Sequence, residues 1–279
     1  MANRRHSLFT ALLFMFPTFA HAGEWIRPGM ERFTVSAGVF LPEFDTDLRV
    51  DSKALGKGVT IDLEDDLSLK EKVDTGYFSL DWRPFDKHRF GAAYYVFNRD
   101  TSATAITDIK LNDGKIIQAG ATLTTGFELD VIPFSYAYSF INSETHELSG
   151  TLGVHWTTID FRVDASAWLA DEDATGRVDA EADGPLPLVG VDYRYNVSDR
   201  WTAGAGLEFF YIELDDDVTA FTGGLYNVRV NTEYWPWQNL GIGAAINFFG
   251  LDVDVEDDEW RGALEYDYWG PQIYLKARF

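Results

Sequence analysis

The sequence has 279 residues, no cysteine and a formal net charge of −22 at pH 7, and 15% of its residues are aromatic. The absence of cysteine excludes a disulfide framework and thiol chemistry, and the acidic balance argues against nucleic acid as a partner. No segment beyond the N-terminus is apolar enough for a transmembrane helix. Membrane insertion would therefore require a closed β-barrel, which also satisfies every backbone polar group in lipid.

Residues 1–22 have the three regions of a secretory signal peptide. Arg4 and Arg5 form a basic start, an apolar stretch covers 8–19, and Ala20-His21-Ala22 matches an A-x-A cleavage site. The apolar stretch is too short for a membrane anchor, which needs about 20 residues. We expect a mature chain of 23–279 that forms a single barrel domain. Its formal charge is −24, because 23 − 2 basic residues then stand against 45 acidic ones.

The mature chain shows runs of about ten residues in which apolar and polar side chains alternate, the pattern of a β-strand with one apolar face. In chain order, these runs predict ten strands at 32–41, 75–84, 89–101, 131–140, from 148 onward, 187–195, 201–214, 225–235, 240–249 and 269–279. Segments 59–63 and 104–117 could extend strands, which leaves a range of 8 to 12 strands for this pattern.

The fifth run changes phase after Trp156, where Ile159, Phe161 and Val163 take over the apolar positions. A β-bulge would explain this change, and so would an exit of the strand from the bilayer.

The connections between strands are of two kinds. Four are short polar turns with aromatic flanks, at 82–88, 138–144, 195–201 and 234–239. The others are longer and rich in Asp and Glu, at 44–73, 108–126, 164–186, 215–224 and 252–261. Short turns at one side and long loops at the other are typical of bacterial outer-membrane barrels.

The last strand ends the sequence on Phe279, which shares a face with Ala277, Leu275 and Ile273. With the signal peptide and the strand pattern, this ending resembles the small Gram-negative outer-membrane β-barrels of the OmpA-like and OmpW-like kind. The resemblance implies an all-β, antiparallel up-and-down transmembrane barrel in the outer membrane, with periplasmic turns and extracellular acidic loops. It also implies contact with outer-membrane lipid and lipopolysaccharide, a monomeric state, and Phe279 as the signal for the outer-membrane assembly machinery.

Charged residues at inward positions of the predicted strands form a candidate lumen charge network. Its acidic members are Asp81, Asp192, Glu208 and Glu233, and its basic members are Arg83, Arg99, Arg194, Arg229, Lys276 and Arg278. Because ten strands enclose little space, we expect a lumen filled by mutually paired side chains. The alternative is a narrow channel whose slightly basic lining favours small anions.

Two further patterns have structural interpretations. Tryptophans at strand ends predict an interfacial aromatic girdle of Trp82, Trp156, Trp201, Trp235, Trp237 and Trp269. The acidic clusters at 62–66, 171–173, 215–217 and 252–259 lack the spacing of a calcium loop. We therefore expect a solvated acidic rim, with no metal and no other cofactor.

An enzymatic role would have to involve His155, which lies inside the fifth strand beside Thr157 and Thr158. Barrel enzymes that modify lipid A, phospholipid or protein resemble one another in placing a His with Ser, Asp or Glu partners near the outer rim. No nucleophilic Ser can be assigned to His155 from the sequence, so we predict no catalytic residues. The expected role is structural or surface-interacting, with a channel as the alternative and a lipid A or phospholipid hydrolase as a distant one.

Overall fold

The computed structural model describes residues 26–52, 56–65, 69–104, 109–110, 116–117, 122–165, 168–169, 176–215, 219–257 and 260–279. In chain order, the strands in these ranges are β1 Phe33–Phe40, β2 Glu43–Ser52, β3 Gly56–Asp62, β4 Thr75–Phe85, β5 His88–Thr104, β6 Ile109–Lys110, β7 Ile116–Ile117, β8 Thr122–Asn142, β9 His146–Ala165, β10 Trp168–Leu169, β11 Gly176–Ser198, β12 Trp201–Asp215, β13 Thr219–Tyr234, β14 Leu240–Asp257 and β15 Trp260–Arg278. Among these residues, no helix is long and apolar enough to cross a membrane.

The strands close into an antiparallel barrel of ten positions, which confirms the predicted fold. The order is β1, β4, β5, β8, β9, β11, β12, β13, β14 and β15, and β15 pairs back onto β1. At the first position β2 continues β1 beyond Leu41 and Pro42 and pairs with the first half of β15. Pro42 has no backbone N–H to give to a neighbour, which explains the interruption. β3 lies beside β2, and β6, β7 and β10 form a separate small sheet.

Four short connections define one end of the barrel, which we call the turn end. They join β4 to β5, β8 to β9, β11 to β12 and β13 to β14, as the four predicted turns require. The start of β1 and the end of β15 also lie here, where the Phe279 N–H donates to the Phe33 carbonyl at 2.8 Å. We call the opposite end the far end.

The outer surface changes character along the strands. On β15, the exposed outward residues nearest the turn end are Leu275, Ile273 and Trp269, and the next outward residues are Asp267 and Glu265. The same change occurs around the barrel at Asp45, Asp100, Asp130, Asp160, Asp183, Glu213 and Asp252. The apolar belt thus spans about ten residues of each strand, enough to cross a bilayer. The outward acids mark its limit.

The interior changes in the opposite direction. At the far end it contains an apolar cluster, which comprises Phe40, Phe44, Leu63, Leu69, Phe97, Phe127, Leu129, Leu188, Leu225, Phe249, Leu251 and Tyr266. Ile159 packs against this far-end cluster from inside, while the next residue, Asp160, is exposed. Beyond the apolar belt the barrel therefore has the polarity of a water-soluble one, with polar residues outside and apolar residues inside.

This reversal decides one alternative and corrects one expectation. Of the two explanations for the phase change after Trp156, the β-bulge is excluded, because β9 keeps an unbroken register with β11 and with β8 past this residue. The phase change is an exit from the apolar belt. The prediction that the five long acidic connections are loops is also wrong over much of their length. Strands β2, β3, β8, β11, β13 and β14 extend into these segments.

Inward glycines make room for large side chains from neighbouring strands. A Cβ atom on Gly243 would lie 2.2 Å from Cζ of Tyr274, and one on Gly241 would lie 2.8 Å from the Trp235 ring. The two aromatic side chains therefore occupy the space that these glycines leave inside the barrel.

Candidate functional site: the barrel interior

Buried charges cross the interior at the turn end. Glu147, whose side chain is 4% exposed, accepts a hydrogen bond from Arg83 Nη2 at 2.7 Å and also pairs with Arg194. The Ser139 hydroxyl donates to the same carboxylate, and Arg194 reaches Glu31 at 3.3 Å. We call Glu31, Arg83, Glu147 and Arg194, with the neighbouring Trp235 and Arg278, the turn-end plug.

Residues 26–31 extend across the turn end. They precede β1, yet they contact the turn before β9 and the end of β11, which lie four and five positions away from β1 in the closed sheet. The Asn196 side chain donates to the Pro28 carbonyl at 2.9 Å, and Arg27 pairs with Glu144. Gly29 has a φ of 97°, and a Cβ there would lie 2.2 Å from Arg194 Nη2, so this position needs glycine.

Glu31 is buried within this segment and outside the barrel strands. Burial acts to raise its pKa, but Arg194 and Lys276 hold the pKa below the ordinary value of 4.5. The carboxylate is therefore ionised at neutral pH, and it balances part of the positive charge that the arginines bring to the turn end.

Arg278 and Trp235 complete the plug. The Arg278 guanidinium lies 3.8 Å from the centroid of the Trp235 ring, and its Nε donates to the Gln238 carbonyl at 2.8 Å. Trp235 is 1% exposed, so its assignment to the aromatic girdle is wrong. The girdle assignment failed because Trp235 has the inward phase of Glu233. The other five predicted girdle residues are exposed: Trp82, Trp156, Trp201 and Trp269 lie on strands, and Trp237 lies in the connection between β13 and β14.

A cavity of about 300 Å³ lies between the plug and the far-end cluster. The acids in its wall have partners: Glu208 accepts from Asn227 at 2.9 Å, and Glu233 accepts from Lys276 and from Tyr274, both at 3.0 Å. Asp81 accepts from Thr34 at 3.0 Å, and Asp192 accepts from Thr151 and lies 3.7 Å from Arg89. Glu147 of the plug is the fifth acid in the cavity wall.

Arg229 lines the same cavity in a different environment. Its guanidinium carbon lies 5.5 Å from the centroid of the Tyr274 ring and 6.0 Å from that of Tyr77. Its Nε has no hydrogen-bond partner, and among the described residues no carboxylate forms an ion pair with it. The aromatic faces stabilise the cation in part.

Arg99 has a separate role at the far end. It is fully buried, pairs with Glu64, and donates to the Lys70 carbonyl at 2.8 Å and to the Thr46 hydroxyl at 3.0 Å. Its guanidinium also lies 4.6 Å from the centroid of the Phe44 ring. Arg99 thus anchors the far-end cluster and does not line the cavity.

The ten predicted lumen charges therefore lie in three groups. Arg83, Arg194 and Arg278 belong to the plug, Arg99 belongs to the far end, and the cavity wall contains Asp81, Asp192, Glu208, Arg229, Glu233 and Lys276.

Sequence reasoning missed Glu31, Arg89 and Glu147. Arg89 is the first residue of the predicted run at 89–101 and shares the inward phase of Gly91, and extending the next-but-one run by one residue from 148 would have found Glu147, which shares the phase of Ser149. Glu31 lies outside any alternating run and gave no signal.

The described residues offer few groups for a catalytic or metal-binding site. The Nε2 atom of His155 lies 4.0 Å from a Glu208 carboxylate oxygen, and within the described part of the chain no serine hydroxyl bonds to His155. No group of three or more potential metal ligands occurs in the described ranges. The acidic residues at 171–173, 216–217 and 258–259 lie outside those ranges.

A closed barrel with an apolar belt of bilayer height and a polar interior defines an integral β-barrel of the outer-membrane type. No protein-family model matches the chain, and no curated protein sequence matches it. Among solved structures, the chain is similar to the outer-membrane protease OmpT from Escherichia coli, with 13% identity and a TM-score of 0.58, over 88% of this chain and 97% of that one. At this identity the similarity shows the fold alone.

Two weaker similarities were also found. The toluene transporter TodX of P. putida has 10% identity and a TM-score of 0.40, over 91% of this chain and 92% of that one. The outer membrane protein OprG from Pseudomonas aeruginosa has 11% identity and a TM-score of 0.38, over 88% of this chain and 95% of that one.

Proposed function

We propose that the protein is a monomeric, non-enzymatic outer-membrane barrel that does not conduct solutes and that acts at the cell surface through its far end. The turn-end plug is the observation that supports this most directly. Arg83, Glu147 and Arg278 are buried and hydrogen-bonded or stacked across the interior. Passage of a solute would require these charges to separate, and buried paired charges do so only at a high energetic cost.

The same proposal covers location and orientation. The signal peptide at 1–22, which lies outside the described residues, would direct export and be cleaved. The turn end then faces the periplasm, and the acidic far end faces outward. Outward acids lie directly opposite one another there, with Glu265 beside Asp47 and Glu128 beside Asp160. Such pairs repel unless cations screen them, which favours contact with cation-rich lipopolysaccharide.

The first prediction concerns conductance. Refolded protein in planar bilayers is expected to give no discrete current steps, because the plug occupies the turn end. The recording needs a control in which a porin of known conductance is inserted from the same detergent. Regular steps from the wild-type barrel would contradict the non-conducting assignment.

The second candidate is a narrow channel for small anions, which the cavity above the plug favours. In that case the plug would have to move, and Arg229 would set the anion preference, since Arg99 lies outside the cavity. If steps were seen, R229Q would reduce the preference for chloride over potassium, whereas R99Q would not do so through the lining.

A barrel hydrolase is the third candidate, and in the described part of the chain the feature that favours it is the proximity of His155 to Glu208. Lipid A and phospholipid mass spectra from cells with and without the protein test this role. A mass shift that is lost in H155A would replace the non-enzymatic proposal.

The second prediction concerns Phe279 as the assembly signal. Its backbone N–H and carbonyl bond to Phe33 and Arg32, while its side chain is exposed. Deletion would therefore disturb barrel closure as well as the signal. F279S keeps the backbone bonds and is expected to lower the outer-membrane level several-fold while refolding in detergent stays normal. L275S, on the same outer face, is the matched control. Equal outer-membrane levels of F279S and wild type would contradict the assembly role.

A further inference from the structure

The cavity above the plug contains a cation, Arg229, that forms no ion pair with a carboxylate of the described residues. Lys276 in its wall is paired with Glu233, and Arg89 lies 3.7 Å from Asp192. Within the described ranges Arg229 has no such carboxylate, and its Nε has no hydrogen-bond partner. Arg229 is partly buried, and Tyr77 and Glu208 in the same wall compensate its charge only in part. A partly desolvated charge gains from an opposite charge at close range, so Arg229 can accept an anion from outside the chain.

The walls around Arg229 are not uniform. Along β13, the inward row passes from Glu233 and Asn231 through Arg229 and Asn227 to the buried Leu225. Arg229 therefore lies where the polar interior on the turn-end side meets the far-end cluster. Phe249 and Phe127, which belong to that cluster, also line the cavity. A molecule in this space would meet a cation at one end and apolar surface at the other.

We propose that the cavity binds a small organic carboxylate, with its carboxylate on the Arg229 guanidinium and its apolar body against the far-end cluster. A guanidinium presents parallel N–H donors that match the two oxygens of a carboxylate. The cavity volume of about 300 Å³ is at the lower end of the range for ligand pockets, which fits a small aromatic or short-chain acid. This inference goes beyond the proposed function, because a non-conducting barrel needs no ligand.

Calorimetric titration of the refolded barrel with three probes tests the proposal. Benzoate carries both features, benzamide has nearly the same shape without the charge, and acetate has the carboxylate without the ring. Benzoate is expected to bind at least about tenfold more tightly than either of the others, since each lacks one of the two contacts. Benzamide binding as tightly as benzoate would overturn the assignment, as would no benzoate binding up to about 10 mM.

R229Q is expected to weaken benzoate binding by about tenfold or more. The matched variant R89Q removes an arginine from the same cavity whose charge already faces Asp192, and its effect is expected to be much smaller. An equal loss in both variants, or none in R229Q, would overturn the role of Arg229.

Heat-modifiable gel migration checks that each variant folds. If R229Q fails to fold, R229K keeps the charge but loses the planar fork, and its loss of benzoate affinity relative to R89K decides the question. Bilayer recording on the same preparation separates the two proposals. Current steps together with benzoate binding contradict only the non-conducting function. Absence of current steps together with absence of benzoate binding contradicts only the ligand site.

Discussion

E147A is expected to lower the free energy of unfolding by about 3 to 5 kcal/mol, because removal of one partner from a buried ion network leaves the others uncompensated. Arg83 and Arg194 both pair with Glu147, and Arg83 is itself buried. Without this carboxylate the two guanidinium groups repel each other inside the barrel. We therefore also expect current steps in planar bilayers, as the arginines move apart and water enters the turn end.

The matched control is E144A on the same hairpin. The Glu144 side chain is 76% exposed and pairs with the exposed Arg27, and exposed ion pairs contribute about 0 to 1 kcal/mol. Urea titration followed by heat-modifiable migration measures both variants in one detergent. Equal stabilities for E147A and E144A would show that the plug does not hold the turn end closed. E147Q, which keeps the shape and loses the charge, is expected to lie between them.

The strands within the apolar belt could be predicted from the sequence because lipid imposes a strict rule on their outward side chains. Each outward side chain in the belt faces hydrocarbon, so the alternation is clear and its phase is unambiguous, as in Ile273 and Leu275 of β15. The ten positions, the four turns and the inward phase of the lumen charges other than Arg99 follow from that rule.

The far end was not predictable in the same way. Beyond the belt the alternation persists with reversed polarity, so Glu265 and Asp267 face water while Tyr266 faces the interior. If outward residues are assumed to be apolar, a strand with acidic residues at every second position is predicted to be an acidic loop. This is why the structure replaces much of the predicted loop at 252–261 with strand.

The depth of each inward side chain along the barrel axis could not be predicted from the sequence either. Alternation indicates which face a residue occupies but not which neighbours it meets across the barrel. Arg99 and Arg229 have the same inward phase on their strands, yet Arg99 pairs with Glu64 in the far-end cluster and Arg229 faces the cavity. Glu64 is 35 residues away from Arg99 in the chain, so only the closed barrel brings the two side chains together.

W235A is expected to destabilise the barrel by about 3 to 5 kcal/mol, the range for removal of a buried aromatic side chain. The variant leaves a void beside Gly241 and removes the aromatic face under the Arg278 guanidinium. Urea titration in detergent measures the loss. W235F, which restores part of the ring, is expected to recover part of the stability.

W237A is the control that separates the plug from the girdle. Trp237 is only two residues away, in the connection between β13 and β14, and is 61% exposed, whereas Trp235 is 1% exposed. A girdle residue contributes mainly through contact with the membrane interface, so W237A in detergent is expected to cost about 1 kcal/mol or less. If both tryptophans served the girdle, the two variants would lose similar stability. A large loss in W235A alone would show that the buried ring supports Arg278 and with it the closed turn end.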